Sequence, residues 1–131
     1  MVKQIVMKKL ILLLSVGVFL ISCKEQETEH YKVLEVAQFE QAISENTVTL
    51  IDVRTPEEYQ SGHIKSAQNV NIQSSDFKAQ MKRFDREKPV YIYCRSGARS
   101  AKAGKILEEM GFKEVYDLKG GVLAWRGNLE K

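Results

Sequence analysis

The sequence predicts an α/β fold in which helices cover a mostly parallel sheet. Apolar, β-branched runs such as residues 47–53 and 90–93 alternate with segments of helical spacing, and several of these segments begin or end at capping residues. The 131 residues suffice for one ordinary domain and not for two. Because ligands of such folds bind at the carboxyl ends of the strands, residues that follow strands are the first candidates for a site.

The first half of the domain is predicted to contain three strands, at residues 31–36, 47–53 and 67–72. A helix of about two turns separates the first two strands, because Phe39, Ala42 and Ile43 have i, i+3, i+4 spacing. Asn46 is its expected end.

A second helix is predicted to begin at Thr55. Thr55 can cap the helix, Pro56 suits its first position, and Glu58 completes a capping box. The helix is short, since Gly62 is expected to end it.

The second half is predicted to contain a helix from Ser74 or Ser75 to Phe84, a strand at 90–93, a helix at 101–110, a strand at 114–118 and a short helix from Val122. Gly111 is expected just after the longer helix, and Gly120-Gly121 is expected to form a turn.

The segment Cys94-Arg95-Ser96-Gly97-Ala98-Arg99-Ser100 lies between a predicted strand and a predicted helix. Loop amides and a helix N-terminus both present partial positive charge, and Arg95 and Arg99 add full charges. Positive charge favours the thiolate form of a cysteine, which is the nucleophilic form. The same loop is suited to hold an anionic substrate through backbone N–H groups and guanidinium groups.

The first 23 residues are interpreted as a bacterial signal peptide. Lys8 and Lys9 precede 13 uncharged residues, well short of the roughly 20 that span a bilayer as a helix. The end of this run, Leu20-Ile21-Ser22-Cys23, resembles a lipobox, in which the cysteine receives lipid and becomes the mature N-terminus. Translation from Met7 would also give a compact signal. The alternatives are an uncleaved anchor and a signal cut elsewhere.

This interpretation predicts a lipid-anchored protein of the bacterial cell envelope, at the outer membrane or facing the periplasm. Residues 24–31 are polar, without periodicity, and are interpreted as a tether to a domain at 32–131. Without Lys3, Lys8 and Lys9, the 20 basic residues fall to 17, which equals the number of acidic residues. The basic character of the chain therefore resides mostly in the signal, and no nucleic-acid partner is expected.

The chain has two cysteines, Cys23 and Cys94. In an oxidising compartment, a disulfide between them is the simplest expectation. A lipidated Cys23 has its sulfur in a thioether and cannot pair, which leaves Cys94 as a free thiol in an exported protein. A free thiol in that compartment is prone to oxidation, so its presence favours a functional role over a buried, inert cysteine.

Four segments together resemble the single-domain form of the rhodanese family, and the resemblance covers residues 32–128. They are Leu50-Ile51-Asp52-Val53-Arg54 with Thr55-Pro56-Glu57-Glu58-Tyr59, Gly62-His63-Ile64 with Ala67-Gln68-Asn69, Tyr93-Cys94-Arg95-Ser96-Gly97-Ala98-Arg99-Ser100, and Gly120-Gly121-Val122-Leu123-Ala124-Trp125. In one departure, Lys65-Ser66 stands where many members have Pro-Gly. This change is expected to loosen a turn and not to affect a catalytic position.

The resemblance implies a three-layer fold with a five-stranded, mostly parallel sheet flanked by helices. It also implies a sulfurtransferase that needs no metal and no organic cofactor. Cys94 would take a sulfane sulfur from thiosulfate or a similar anionic donor, and would pass it from a persulfide to cyanide, a thiol or a thiol-bearing protein. The donor would be held by the backbone amides of Arg95, Ser96, Gly97, Ala98, Arg99 and Ser100, and attracted by Arg95 and, more loosely, Arg99.

Other functions remain open beside the enzyme. The domain could be a persulfide carrier or sensor, or an interaction module without chemistry. Related phosphatases and arsenate reductases use a Cys-x5-Arg loop that surrounds a tetrahedral oxyanion. Here only four residues separate Cys94 from Arg99, and this shorter ring of amides favours a single sulfur atom.

Three charged residues near the second strand are expected to support the site rather than to react. Asp52 is expected to accept from the cysteine loop or to pair with an arginine, and Arg54 is expected to pair with Glu58. The resemblance to the rhodanese family implies that His63 packs in a turn against the sheet rather than acting as a base. Trp125 is expected in the core, and the resemblance to the rhodanese family places it near the rim of the active-site pocket.

Overall fold

The computed structural model describes residues 27–45 and 47–131. The predicted signal peptide with the lipidation site Cys23, residues 24–26 of the tether and Asn46 lie outside the described residues. The helices are α1 (Val36–Glu45), α2 (Pro56–Ser61), α3 (Phe77–Met81), α4 (Ala98–Glu109) and a 3-10 helix at Gly121–Ala124. The strands are β1 (Tyr31–Leu34), β2 (Thr49–Asp52), β3 (His63–Ile64), β4 (Gln68–Asn69), β5 (Val90–Tyr93), β6 (Val115–Leu118) and β7 (Leu129–Glu130).

Five strands form one parallel sheet in the order β1-β6-β5-β2-β4. The central pair, β2 and β5, is in register with Ile51 opposite Ile92, and both residues are fully buried. Such near-continuous apolar strands are typical of parallel sheets that are covered on both faces. The predicted α/β fold with a five-stranded parallel sheet flanked by helices is confirmed.

Each face of the sheet packs against its own helices. On one face, Ile92 and Cys94 belong to a core cluster with Met81 of α3 and Leu107 of α4. On the other face, a second cluster contains Phe39 of α1. Helices therefore cover both faces of the sheet and form three layers. None of the helices in the described part of the chain is long and apolar enough to cross a bilayer.

The shortest elements differ from the sequence prediction. The strand expected at 67–72 is reduced to β4, at Gln68–Asn69. An unpredicted antiparallel pair joins β3 to β7, with Ile64 opposite Leu129. Strands of two residues are too short to show a period of two, which explains why the sequence pattern does not reveal the pair.

Candidate functional site

Cys94 follows β5 directly and lies at the carboxyl edge of the parallel sheet. Its side chain is buried, with 1% of its surface exposed, and it is a free thiol. The backbone N–H of Gly97 donates a hydrogen bond to the Cys94 Sγ atom at 3.0 Å. This bond is possible because Gly97 adopts a left-handed conformation, with φ of 114°, which turns the chain back toward the sulfur. The loop therefore presents an N–H dipole to the atom that would become charged.

Helix α4 begins at Ala98, three residues earlier than the predicted start at 101. The helix prediction used apolar spacing, which begins at Ala101, whereas the left-handed Gly97 starts the helix immediately after the loop. The first intrahelical bond runs from the Ala101 N–H to the Gly97 carbonyl. First-turn amides of a helix have no intrahelical acceptor, so those of residues 98–100 can serve an anion beside Cys94.

The residues predicted to bind substrate all lie around this turn, but they differ in exposure. Arg95, Ser96 and Ala98 are exposed, Arg99 is half-buried, and Gly97 and Ser100 are buried. The Ser100 hydroxyl donates to the Gly97 carbonyl at 3.1 Å, so this hydroxyl fixes the loop backbone.

The 3-10 helix at Gly121–Ala124 is hydrogen-bonded to the first two residues of the cysteine loop. The Val122 and Leu123 amides donate to the carbonyls of Cys94 and Arg95, at 2.9 and 3.1 Å. Gly121 makes this approach possible, since a β-carbon there would lie 2.4 Å from the Arg95 carbonyl oxygen. The sequence predicts the Gly-Gly turn but not this contact.

Arg99 forms a two-pronged ion pair with Glu58 of α2. Its two terminal nitrogens donate to the two carboxylate oxygens at 2.7 and 2.8 Å. The hydrogen bonds from Arg99 lower the pKa of Glu58 to about 2, against a smaller opposing effect of burial. The same bonds raise the pKa of Arg99 above its ordinary value.

The expected ion pair between Arg54 and Glu58 is therefore wrong, because Arg54 pairs with Asp52. The Arg54 side chain donates to both carboxylate oxygens of Asp52, at 2.6 to 3.0 Å, and to the Gly62 carbonyl at 2.7 Å. Burial acts to lower the pKa of Arg54, but the hydrogen bonds and charge of Asp52 outweigh it, and the pKa lies above its ordinary value. Asp52 and Arg54 are two residues apart in the sequence and form an ion pair with each other. Glu58 pairs with Arg99 instead.

Asn69 and Tyr93 also hold this segment in place, and the sequence pattern indicates a role for neither of them. The Asn69 amide donates to the carbonyls of Asp52 and Arg54, at 3.0 and 2.9 Å. The Tyr93 hydroxyl accepts the Ile64 N–H, and its ring lies 5.7 Å from the Arg54 guanidinium carbon. Burial, and then the charge of Asp52, raises the pKa of Tyr93. The one sequence feature that could have indicated a role for Asn69 is its position as a polar residue at the end of β4.

The contacts of His63 and Trp125 described below do not involve the 94–100 loop. The His63 ring stacks on Tyr59 at 3.8 Å, and its Nδ1 atom lies 3.0 Å from the Tyr59 carbonyl. Trp125 lines a cavity of about 460 Å³ beside α1, and no residue of the 94–100 loop lines this cavity. In the part of the chain that the structure describes, no three His, Cys, Asp or Glu side chains group as metal ligands would.

Comparison with protein families and curated proteins identifies relatives. Residues 35–128 match the family described as Rhodanese-like domain. The uncharacterized protein YqhL of Bacillus subtilis is 41% identical over 81 residues, which are 62% of this chain and 63% of that protein. A tRNA uridine(34) hydroxylase of Pelagibacter ubique is 30% identical over 112 residues, 85% of this chain and 36% of that protein. Thiosulfate sulfurtransferase GlpE of Coxiella burnetii is 31% identical over 98 residues, 75% of this chain and 90% of that protein.

Solved structures give the same family. A rhodanese-like domain protein from Staphylococcus aureus aligns with a TM-score of 0.67 and 30% identity, over 76% of this chain and 96% of that one. The chain thus spans nearly all of some relatives and about a third of the hydroxylase.

Proposed function

The chain belongs to the family of rhodanese-like domains, and from this premise we propose that it is a sulfurtransferase that carries a sulfane sulfur on Cys94. The observation that carries the proposal is the hydrogen bond from the Gly97 N–H to the Cys94 sulfur, at the start of α4 and the carboxyl end of the sheet. The relative named thiosulfate sulfurtransferase, at 31% identity, supports thiosulfate as the donor to test first.

In the first half-reaction, the Cys94 thiolate attacks the outer sulfur of thiosulfate. A bond forms between the two sulfurs, and the original sulfur–sulfur bond of thiosulfate breaks. Sulfite leaves with the electron pair of that bond, so Cys94 becomes a persulfide. This is covalent catalysis, in which one transfer is divided into two steps.

In the second half-reaction, an acceptor nucleophile attacks the outer sulfur of the persulfide. With cyanide, thiocyanate leaves and the Cys94 thiolate is regenerated. With a thiol, the outer sulfur passes to the acceptor as a persulfide and the thiol proton is released. No external oxidant or reductant is needed in either half.

The surroundings of Cys94 give each nearby group a role. The Gly97 amide and the first-turn amides of α4 stabilise negative charge on the cysteine sulfur and on the donor. Arg95 is exposed on the loop and attracts the anionic donor. The buried Arg54–Asp52 pair and Asn69 hold the neighbouring end of β2 in position.

A second candidate is a persulfide carrier or interaction module. The observation in its favour is the hydroxylase relative, in which the matching region is 36% of a longer protein. A carrier would load from thiosulfate quickly, release sulfur to cyanide slowly and release it to a protein thiol quickly. An interaction module would not load at all.

We also propose that lipid on Cys23 anchors the protein in the bacterial cell envelope. The support is the sequence of residues 1–23 alone: a basic start, a short apolar run and a lipobox-like ending. Cys23→Ala is expected to yield an unprocessed precursor without lipid mass. A native protein that is neither cleaved nor lipidated would contradict the anchor.

The sulfurtransferase proposal is tested by measuring thiocyanate formation from thiosulfate and cyanide. Cys94→Ser is expected to abolish it, while Cys23→Ala, the matched change at the other cysteine, retains it. Turnover by the Cys94→Ser variant would overturn the assignment of Cys94. No turnover by the wild type or by Cys23→Ala, together with no loading from thiosulfate, would favour the interaction module.

A further inference from the structure

The two arginines of the cysteine loop have different electrostatic surroundings. Arg99 is held by Glu58 through two short hydrogen bonds. Arg95 is exposed and forms no ion pair with any residue in 27–45 or 47–131. The sequence presents both as loop cations, whereas the structure leaves only one of them without a carboxylate partner.

Glu58 is fixed where it neutralises Arg99. Its Oε2 atom also accepts from the Thr55 N–H at 3.0 Å and from the Thr55 hydroxyl at 3.1 Å, as part of the capping box of α2. The carboxylate is thus held from both sides, by the cap of its own helix and by the arginine of the loop. Its position is set by the fold and not by a flexible surface contact.

The charges of Arg99 and Glu58 oppose each other within one ion pair. The Arg99 and Glu58 side chains are 25% and 29% exposed, so solvent screens both charges to a similar degree. Two opposite charges 2.7 Å apart act at longer range as a dipole, whose potential falls off faster than that of a single charge. Arg95 follows Cys94 directly in the sequence, and no carboxylate among the described residues pairs with its charge.

We propose that Glu58 is a positioning residue that neutralises Arg99, so that Arg95 alone supplies the charge that selects anionic reagents at Cys94. This deepens the proposed function and rests on it for the identity of the natural reagent, an anionic sulfur donor. The selectivity itself is a property of the charges around the thiol, and it is measurable without sulfur transfer.

The test compares the alkylation of Cys94 by iodoacetate, an anion, and by iodoacetamide, its neutral analogue, in the full chain. Both reagents consume the thiolate and are of similar size, so the ratio of their rates reports the local potential and not the accessibility of the thiol. Peptide mass mapping reads the modification at Cys94 separately from that at Cys23. Low ionic strength is used because salt screens the effect.

The two single variants are expected to shift the ratio of alkylation rates in opposite directions, and the double variant is expected to leave it unchanged. Glu58→Gln raises the iodoacetate-to-iodoacetamide ratio and Arg99→Gln lowers it, each by about threefold, because each change leaves one unpaired unit charge in the pair's place. The double variant Glu58→Gln/Arg99→Gln returns to the wild-type ratio, because it removes a neutral pair. Arg95→Gln lowers the ratio by about threefold, and Glu57→Gln, an exposed carboxylate on the same helix, leaves it unchanged.

Two outcomes would overturn the proposal. One is a double variant as low as Arg99→Gln alone, which would mean that Arg99 leaves Glu58 and meets the anion itself. The other is an Arg95→Gln variant with the wild-type ratio. Where a glutamine variant fails to fold, Arg99→Lys serves instead, because it keeps the charge and must keep the ratio. The expected alkylation pattern in a protein that never loads sulfur would contradict the proposed function and leave this charge arrangement intact.

Discussion

Gly121 packs directly against Arg95: a β-carbon on Gly121 would lie 2.4 Å from the Arg95 carbonyl oxygen and 2.7 Å from that of Cys94. Gly121 also has a φ of 64°, in the left-handed region. This contact lets the amides of the 3-10 helix reach the two carbonyls at the start of the cysteine loop. The position of Cys94 therefore depends on a glycine 27 residues away in sequence.

Gly121→Ala is expected to destabilise the protein by at least about 2 kcal/mol, because it adds both backbone strain and a clash with the loop. Gly111→Ala is the matched control, since Gly111 also has positive φ but its β-carbon would meet nothing closer than 3.9 Å. It should cost about 1 kcal/mol from strain alone. Chemical denaturation measures both, and equal losses would contradict the packing role of Gly121.

Ser66 is strained in the turn where the sequence departs from the Pro-Gly of many family members. It is a non-glycine residue with positive φ, at 66°. Ser66→Gly is expected to stabilise the protein by about 0.5 to 1 kcal/mol, because glycine adopts this conformation without the steric cost. Ser75→Gly, at an exposed residue without positive φ, should not stabilise. The thermal unfolding midpoints of the two variants and the wild type measure these effects. A Ser66→Gly protein less stable than the wild type would refute the prediction.

The Glu58–Arg99 pair predicts a pH dependence of stability. The pKa of Glu58 falls from its ordinary 4.5 to about 2 in the folded protein. Because the folded state holds the proton more weakly than the unfolded state, the pair stabilises the protein above pH 4.5, and this contribution is lost as the pH falls toward 2. Wild type should exceed Glu58→Gln in stability at neutral pH, and the gap should close across that window.

Urea denaturation at a series of pH values measures this gap. Glu57→Gln is the control, because Glu57 is exposed and no ion pair holds it among the described residues. Its curve should run parallel to that of the wild type. A Glu58→Gln gap that stays constant from neutral pH to pH 2 would mean that the hydrogen bonds of the cap, and not the charge, carry the effect.

Local chemistry made much of the fold predictable. The capping box of α2 is read directly from Thr55 and Glu58, and the structure contains both of its reciprocal hydrogen bonds. The apolar run at 90–93 predicts a strand with the same first and last residues as β5 in the structure. These features depend on residues within a few positions of one another, which is the range over which sequence patterns are informative.

Long-range partners were not predictable in the same way. Glu58 and Arg99 lie 41 residues apart, and the capping pattern gives no indication of which arginine the carboxylate also binds. The sequence favoured Arg54 because it is near, but the fold turns Arg54 inward onto Asp52. The role of Gly121 was hidden for the same reason, since its contact is with a loop from another part of the chain.

The most direct test of sulfur transfer through Cys94 is the intact mass of the protein after brief treatment with thiosulfate. If Cys94 carries the sulfur, the wild type gains one sulfur atom, cyanide removes it with release of thiocyanate, and Cys94→Ser gains nothing. A wild-type protein without added sulfur, or a Cys94→Ser protein that still gains it, would contradict sulfur transfer from thiosulfate through Cys94.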